Sequence, residues 1–223
     1  MTRANGDAAP TGGDAQMDAW LLGAVLALVC ISVVEVYSSS AAYAYQKFGS
    51  STHFLWRHLV FMGLGAVAMF LATRADLERW RRRWPVLLVG TFVLVAATLV
   101  IGTRINNARR WLTVGPFSLQ PAELAKIALL VYLADSLANK KEKVRMFTVG
   151  FVPHLVVCAL FVGVALKQPD LDAALILGAM TLMLLFVAGT KISYILIAVL
   201  AAAPGVYWAI VGTPWRLQRL FAY

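Results

Sequence analysis

Charge is scarce in this chain: 14% of its 223 residues are Asp, Glu, Lys or Arg, where a soluble domain carries about a quarter. Acids are the scarcer sign, 11 against 20 basic residues. Cysteine is nearly absent, and Cys30 and Cys158 both sit inside apolar stretches without metal-ligand spacing. That argues against a disulfide framework and against a zinc module. What fills the space is apolar: 61% of residues are hydrophobic, and the mean hydropathy is +0.74. A water-soluble protein of this size could not cover so much apolar surface, whereas a bilayer makes covering unnecessary. The apolar residues also come in blocks of membrane-spanning length. The sequence therefore predicts an all-α, polytopic membrane protein.

The net charge of +9 does not point to nucleic acid, because the basic residues lie between the apolar blocks. Arg79, Arg81, Arg82 and Arg83 form one cluster, and Lys140, Lys141, Lys143 and Arg145 form another. Beside a span, such clusters set topology and meet anionic lipid headgroups, so membrane lipids are expected partners.

Residues 1–18 are polar and rich in Gly, Ala, Asp and Thr. They read as a disordered cytoplasmic tail and not as a signal peptide, because the block that follows is too long and has no cleavage site. One membrane domain is expected over 19–223, with spans at 19–37, 55–72, 85–102, 121–138, 148–166, 173–188 and 192–211. Seven spans place eleven basic residues on one side and eight on the other, the two dense clusters both on the richer side. The bias predicts a cytoplasmic N-terminus, with Trp208 and Trp215 as anchors at the far interface. The stretch 103–120 contains the turn formers Asn106, Asn107, Gly115 and Pro116 and reads as a long loop packed on the outer surface. No internal repeat is evident.

Chemistry is expected where charge enters the fourth span. Glu123 and Lys126 stand three residues apart, so they share a helix face and can pair. A lone charge at this depth costs about 2.5–3.5 kcal/mol, and pairing or a wet cavity reduces that cost. A structural ion pair, or snorkelling by Lys126, is the competing reading. Asp170, between spans five and six, belongs to the same outer end. It is either a third member of that site or, with Asp172, a cap of the sixth helix. Arg109 and Arg110 offer guanidinium forks suited to a pyrophosphate, with ordinary headgroup contact as the alternative. His154 reads as structural. Glu35 has no evident partner, and it either snorkels or faces the outer cavity.

The stretch from Asn107 to Lys126, NARRWLTVGPFSLQPAELAK, closely resembles the signature of the SEDS proteins. These are the shape, elongation, division and sporulation membrane proteins, which include FtsW, RodA and SpoVE. Gln168-Pro169-Asp170-Leu171, Val36-Tyr37-Ser38 and Pro214-Trp215-Arg216-Leu217-Gln218-Arg219 look like that family too. The resemblance runs from Asp18 onward, and Arg-Arg-Trp followed by Gly-Pro-Phe-Ser-Leu-Gln-Pro favours the FtsW branch.

The resemblance implies a ten-helix fold of which this chain holds seven, in the bacterial cytoplasmic (inner) membrane. It implies a peptidoglycan glycosyltransferase that polymerises lipid II, the undecaprenyl-pyrophosphate-linked precursor, in septal cell-wall synthesis. The implied partners are a class B penicillin-binding protein transpeptidase and other divisome proteins. Glu123, Lys126 and Asp170 match polar residues of the family's central cavity, with Arg109, Arg110, Trp111 and Gln120 around it. The family's catalytic carboxylate is expected beyond Tyr223, so the chain is expected to be an N-terminal portion, inactive alone. Asn107 and Asp172 stand where Gly is usual, and Glu35 where an apolar residue is usual. No cofactor is implied with certainty, and a divalent cation is left open. The alternatives are a lipid II flippase, a RodA-like elongation polymerase, or a scaffold that only recruits the transpeptidase.

Overall fold

The computed structural model describes residues 18–105, 108–114 and 117–213. Most of the expected tail, the turn residues Asn106, Asn107, Gly115 and Pro116, and the motif 214–219 with Trp215 lie outside the described residues. The chain divides into two compact units at Ala75 and Asp76.

The first unit is a pair of helices. Helix α1, Ala19–Phe48, begins where the Asp18 carboxylate accepts the N–H groups of Trp20 at 3.0 Å and Leu21 at 3.1 Å, an N-cap that satisfies two otherwise orphaned donors. It runs well past the expected end at residue 37, because the polar stretch after Tyr37 stays helical. There the Ser39 and Ser40 hydroxyls donate back to the carbonyls of Glu35 and Val36, which lets small polar residues ride inside a helix. The helix ends at Gly49, whose φ of 71° is the left-handed stop that glycine adopts without steric penalty. Helix α2, His53–Thr73, returns beside it, joined by Ser32 Oγ and His58 Nε2 at 3.1 Å.

Among the described residues the second unit holds five α-helices and a small sheet. Helix α3, Leu77–Ile101, starts earlier than hydropathy predicts. The Asp76 carboxylate caps it through the Glu78 N–H, and Arg79–Asp76 and Arg82–Glu78 pairs stabilise its charged first turns. Helix α4, Pro121–Lys140, opens with proline in its first turn, where the missing N–H costs nothing. A 3-10 turn, Lys141–Arg145, and a π turn, Phe147–Phe151, lead into α5, Val152–Lys167. Helices α6, Leu171–Val187, and α7, Ile192–Val211, follow.

Seven α-helices are thus present among the described residues, and the chain is a multi-pass membrane protein. Among the described residues five helices are long and apolar enough to cross a bilayer: α1, α2, α3, the segment Phe147–Lys167 and α7. Helix α4 is long enough but carries Glu123, Lys126 and Asp135, and α6 has only 17 residues. Helix α4 tolerates its charges because it is the central helix of its unit. Ala125, Leu129, Tyr132, Leu133 and Leu137 are buried along it, a stripe at helical spacing. They pack with Val95 of α3, Phe161 of α5 and Leu177 and Leu185 of α6.

The stretch 103–120 corrects the expectation of a loop. It forms three antiparallel strands in the order β1 (Thr103–Ile105), β2 (Ala108–Val114) and β3 (Phe117–Leu119). Thr103 opposes Trp111, and Leu112 opposes Leu119. The β-prone residues Trp111 and Thr113 explain the departure. The Thr103 hydroxyl adds a bond to the Trp111 carbonyl at 3.1 Å and lies 3.0 Å from the Thr113 hydroxyl.

The second unit has two chemically different ends. At one end Arg81 Nε donates to Asp135 at 2.6 Å, and Arg81 Nη2 donates to Asn139 at 3.1 Å. This joins the start of α3 to the end of α4, so the two basic clusters gather there. The opposite end holds the sheet, the start of α4 and the turn between α5 and α6.

Candidate functional site

The end away from the basic clusters is organised around one carboxylate. Asp170 precedes α6 and is 1% exposed. Its Oδ1 accepts the Ala173 N–H at 3.2 Å, which caps α6. The same oxygen lies 3.3 Å from Arg110 Nη1 on β2, an ion pair whose arginine side chain is 29% exposed. Its Oδ2 accepts from the Gln120 carboxamide, at the start of α4, at 2.7 Å. Asp170 thus caps a helix and also gathers polar groups from β2 and α4. A buried carboxylate needs such partners to remain charged.

The chain can bring three helices to this point because their contact is built of small residues. Ala122 of α4, Ala165 of α5, and Ala173 and Ala174 of α6 form a buried cluster. Small side chains let helix backbones approach closely in a membrane. Behind Asp170, Gln168 is 1% exposed. Its carboxamide donates to the Val95 carbonyl at 2.7 Å and to the Thr98 hydroxyl at 2.5 Å. The turn that carries Asp170 is thereby fastened to α3. Nothing in the local sequence marks Gln168 for this role, since its partners are 73 and 70 residues away.

The remaining site residues fall around this hub. Glu123 and Lys126 do pair, with Oε2 and Nζ at 2.6 Å, one helical step apart on the first turns of α4. Glu123 is 58% exposed at its side chain and Lys126 24%. Among the described residues no hydrogen bond or ion pair joins this pair to Asp170, although Gln120 links the two groups through the start of α4. Arg109 Nη1 donates to the carbonyls of Leu99 and Val100, both at 3.3 Å. It thereby satisfies acceptors at the end of α3, as a cation at a helix C-terminus does well. The Nε atoms of Arg109 and Arg110 are buried without a hydrogen-bond partner among the described residues. Trp111 is half-buried in β2. Glu35, in the first unit, is exposed.

Elsewhere, buried His154 lies 3.0 Å from the Ser136 hydroxyl and contacts the Gly150 carbonyl. This local network supports its reading as a structural residue. Among the described residues no group of three or more His, Cys, Asp or Glu side chains comes together to hold a metal ion.

Comparison with known proteins gives this arrangement a context. The sequence profile of the FtsW, RodA and SpoVE cell cycle proteins matches residues 19–223. A probable peptidoglycan glycosyltransferase FtsW of Trichlorobacter lovleyi is 39% identical over 212 residues, 94% of this chain and 55% of that protein. The crystal structure of a mutant of the rod shape determining protein RodA of Thermus thermophilus superposes with a TM-score of 0.71 at 30% identity. It covers 85% of this chain and 59% of its own. A chain from a structure describing how a peptidoglycan synthase complex coordinates polymerization and crosslinking also superposes with a TM-score of 0.71. That match, at 30% identity, covers 93% of this chain and 59% of the other. The chain thus spans about half the length of the curated relatives it matches.

Proposed function

The chain belongs to the FtsW, RodA and SpoVE family of cell cycle proteins, and from that premise we propose that it forms the substrate-facing part of a peptidoglycan glycosyltransferase of cell division. The substrate in this proposal is lipid II, and the protein resides in the bacterial cytoplasmic membrane with its N-terminus and basic clusters inside. The Asp170 end then faces outward. The observation that carries the reading is the attachment of Arg110 and Gln120 to the buried Asp170 carboxylate at that end.

In such a reaction a sugar hydroxyl of one lipid II attacks the anomeric carbon of the growing strand, and undecaprenyl pyrophosphate leaves. Charge builds on the leaving phosphates, and prepositioned cations stabilise it. Asp170 engages Nη1 of Arg110 and so holds the guanidinium at this end. Arginine carries five N–H donors, which leaves others for a phosphate. Lys126, held by Glu123, supplies a second cation on the same end of α4. Arg109 acts at one remove, by bonding the end of α3 beside the sheet. The general base for the attacking hydroxyl is not assigned to any of these residues. The FtsW name of the relative and the synthase complex among the structural matches support a septal polymerase that works beside a crosslinking transpeptidase of the class B penicillin-binding type.

The test is strand formation from purified lipid II in proteoliposomes. It is run with the 223-residue chain and with the whole product of its reading frame, each with and without the transpeptidase. Polymerisation by the whole product, lost on Glu123→Ala, is the expected result. Headgroup translocation across the vesicle without polymerisation would replace this reading with a flippase.

A further inference from the structure

At the end of the second unit opposite Asp170 lies a pocket of about 520 Å³ between α4, the 3-10 turn and the last turn of α6. Its walls are apolar, with Leu137 on α4 and Leu184 and Val187 on α6. Its mouth carries Lys141, Glu142 and Arg145, so cations outnumber acids two to one. Neighbouring Lys140 is engaged elsewhere, its ammonium donating to the Val149 carbonyl at 2.7 Å. Lys141 and Arg145 are both exposed and have no ion pair among the described residues. Lys141 is set at the mouth by an unusual backbone, φ 46° and ψ −125°, where α4 stops and the 3-10 turn begins.

We propose that this pocket binds an anionic phospholipid, its phosphate held by Lys141 and Arg145 and an acyl chain lying against Leu184 and Val187. Three features favour a lipid over an acidic peptide. The walls belong to helices of a membrane bundle and are apolar, as an acyl chain requires. Its mouth lies at the basic end, where the two clusters mark the headgroup level. A basic rim over an apolar cleft between membrane helices is also the arrangement that recognises anionic headgroups on the cytoplasmic side. The inference rests on the orientation proposed above but not on the polymerase reaction. Because it is read without lipid II, its failure leaves that reaction's test untouched.

The experiment is native mass spectrometry of the whole protein released from detergent with added phosphatidylglycerol or phosphatidylcholine. Phosphatidylglycerol should be retained preferentially. The combined change Lys141→Gln, Arg145→Gln should weaken its binding about thirty-fold, the worth of two interfacial cations. Ala138→Trp, which fills the pocket without changing charge, should also weaken it. The control Arg83→Gln, Lys143→Gln makes the same charge change at the same end, outside the pocket, and should leave binding within about two-fold. Equal retention of phosphatidylcholine would overturn the proposal, as would an equal loss in the control. Protection of Lys141 from amine modification by a polyglutamate peptide, but not by phosphatidylglycerol, would replace the lipid with a protein partner. Accessibility of cysteines placed at residues 83 and 104 reports the orientation separately.

Discussion

Replacing Asp170 by alanine removes three interactions at once, and their sum is large enough to measure. Loss of the α6 cap costs about 1 kcal/mol. The Gln120 carboxamide loses a carboxylate acceptor at 2.7 Å, which costs about 1–2 kcal/mol for a donor on a half-buried side chain. Arg110 loses its counter-ion at 3.3 Å. Breaking a fully buried pair costs about 3–5 kcal/mol, but Arg110 is 29% exposed and water recovers part of that. A total near 3–5 kcal/mol follows once the overlap between these terms is allowed for. Asp170→Asn keeps Oδ1 as acceptor for the cap and turns the oxygen that faced Gln120 into an amide donor, which the Gln120 carboxamide meets by flipping to present its own oxygen, so chiefly the charge is lost and about 1–2 kcal/mol is expected. Reversible unfolding in mixed detergent micelles measures both. The pairwise part comes from a cycle with Arg110→Gln, where a coupling of about 1–2 kcal/mol is expected. An alanine variant within about 1 kcal/mol of the parent, or an asparagine variant as unstable as alanine, would refute the hub.

The Glu123–Lys126 pair should behave oppositely. With Glu123 58% exposed, its double-mutant coupling in stability should not exceed about 0.5 kcal/mol, while Glu123→Ala abolishes strand formation. A large stability coupling without loss of activity would make the pair structural. Gln168→Leu should destabilise by about 1–3 kcal/mol, because the Val95 carbonyl and Thr98 hydroxyl lose a buried donor, and Thr98→Val should cost less. Proteolysis or the same unfolding assay ranks the two. Ala174→Leu, in the small-residue contact of the three helices, should cost about 1–3 kcal/mol by overpacking, whereas the volume-conserving Leu175→Ile at the exposed neighbouring position should cost under about 0.5 kcal/mol.

What was legible in the sequence follows from how local its cause is. The seven helices could be read because bilayer-length apolar blocks depend on nothing outside themselves. Two helix ends could not be read from hydropathy alone. Residues 38–48 stay helical through serine hydroxyls bonded to their own turn, and α3 begins in an arginine-rich stretch held by a cap and short-range ion pairs. The strands escaped because β1 and β3, at three residues each, have no periodicity to show, and β2 holds its place only through pairing with both of them. At the site, the Glu123–Lys126 pair was legible because helical spacing alone decides it. Asp170 was legible as a cap, but its bonds to Arg110 and Gln120 span 50 residues or more and needed the fold. Gln168 stood out only through the motif Gln168-Pro169-Asp170-Leu171, which reveals nothing about its partners Val95 and Thr98 on α3.

The proposed role of the Asp170 end is tested most directly by titrating lipid II against the whole protein with Arg110 or Lys126 replaced by glutamine. The reference is Arg83→Gln, which removes the same charge at the opposite end. The account predicts that Arg110→Gln and Lys126→Gln lose strand formation in protein that still unfolds cooperatively, while Arg83→Gln polymerises like the parent. Parental rates from both Arg110→Gln and Lys126→Gln would contradict it.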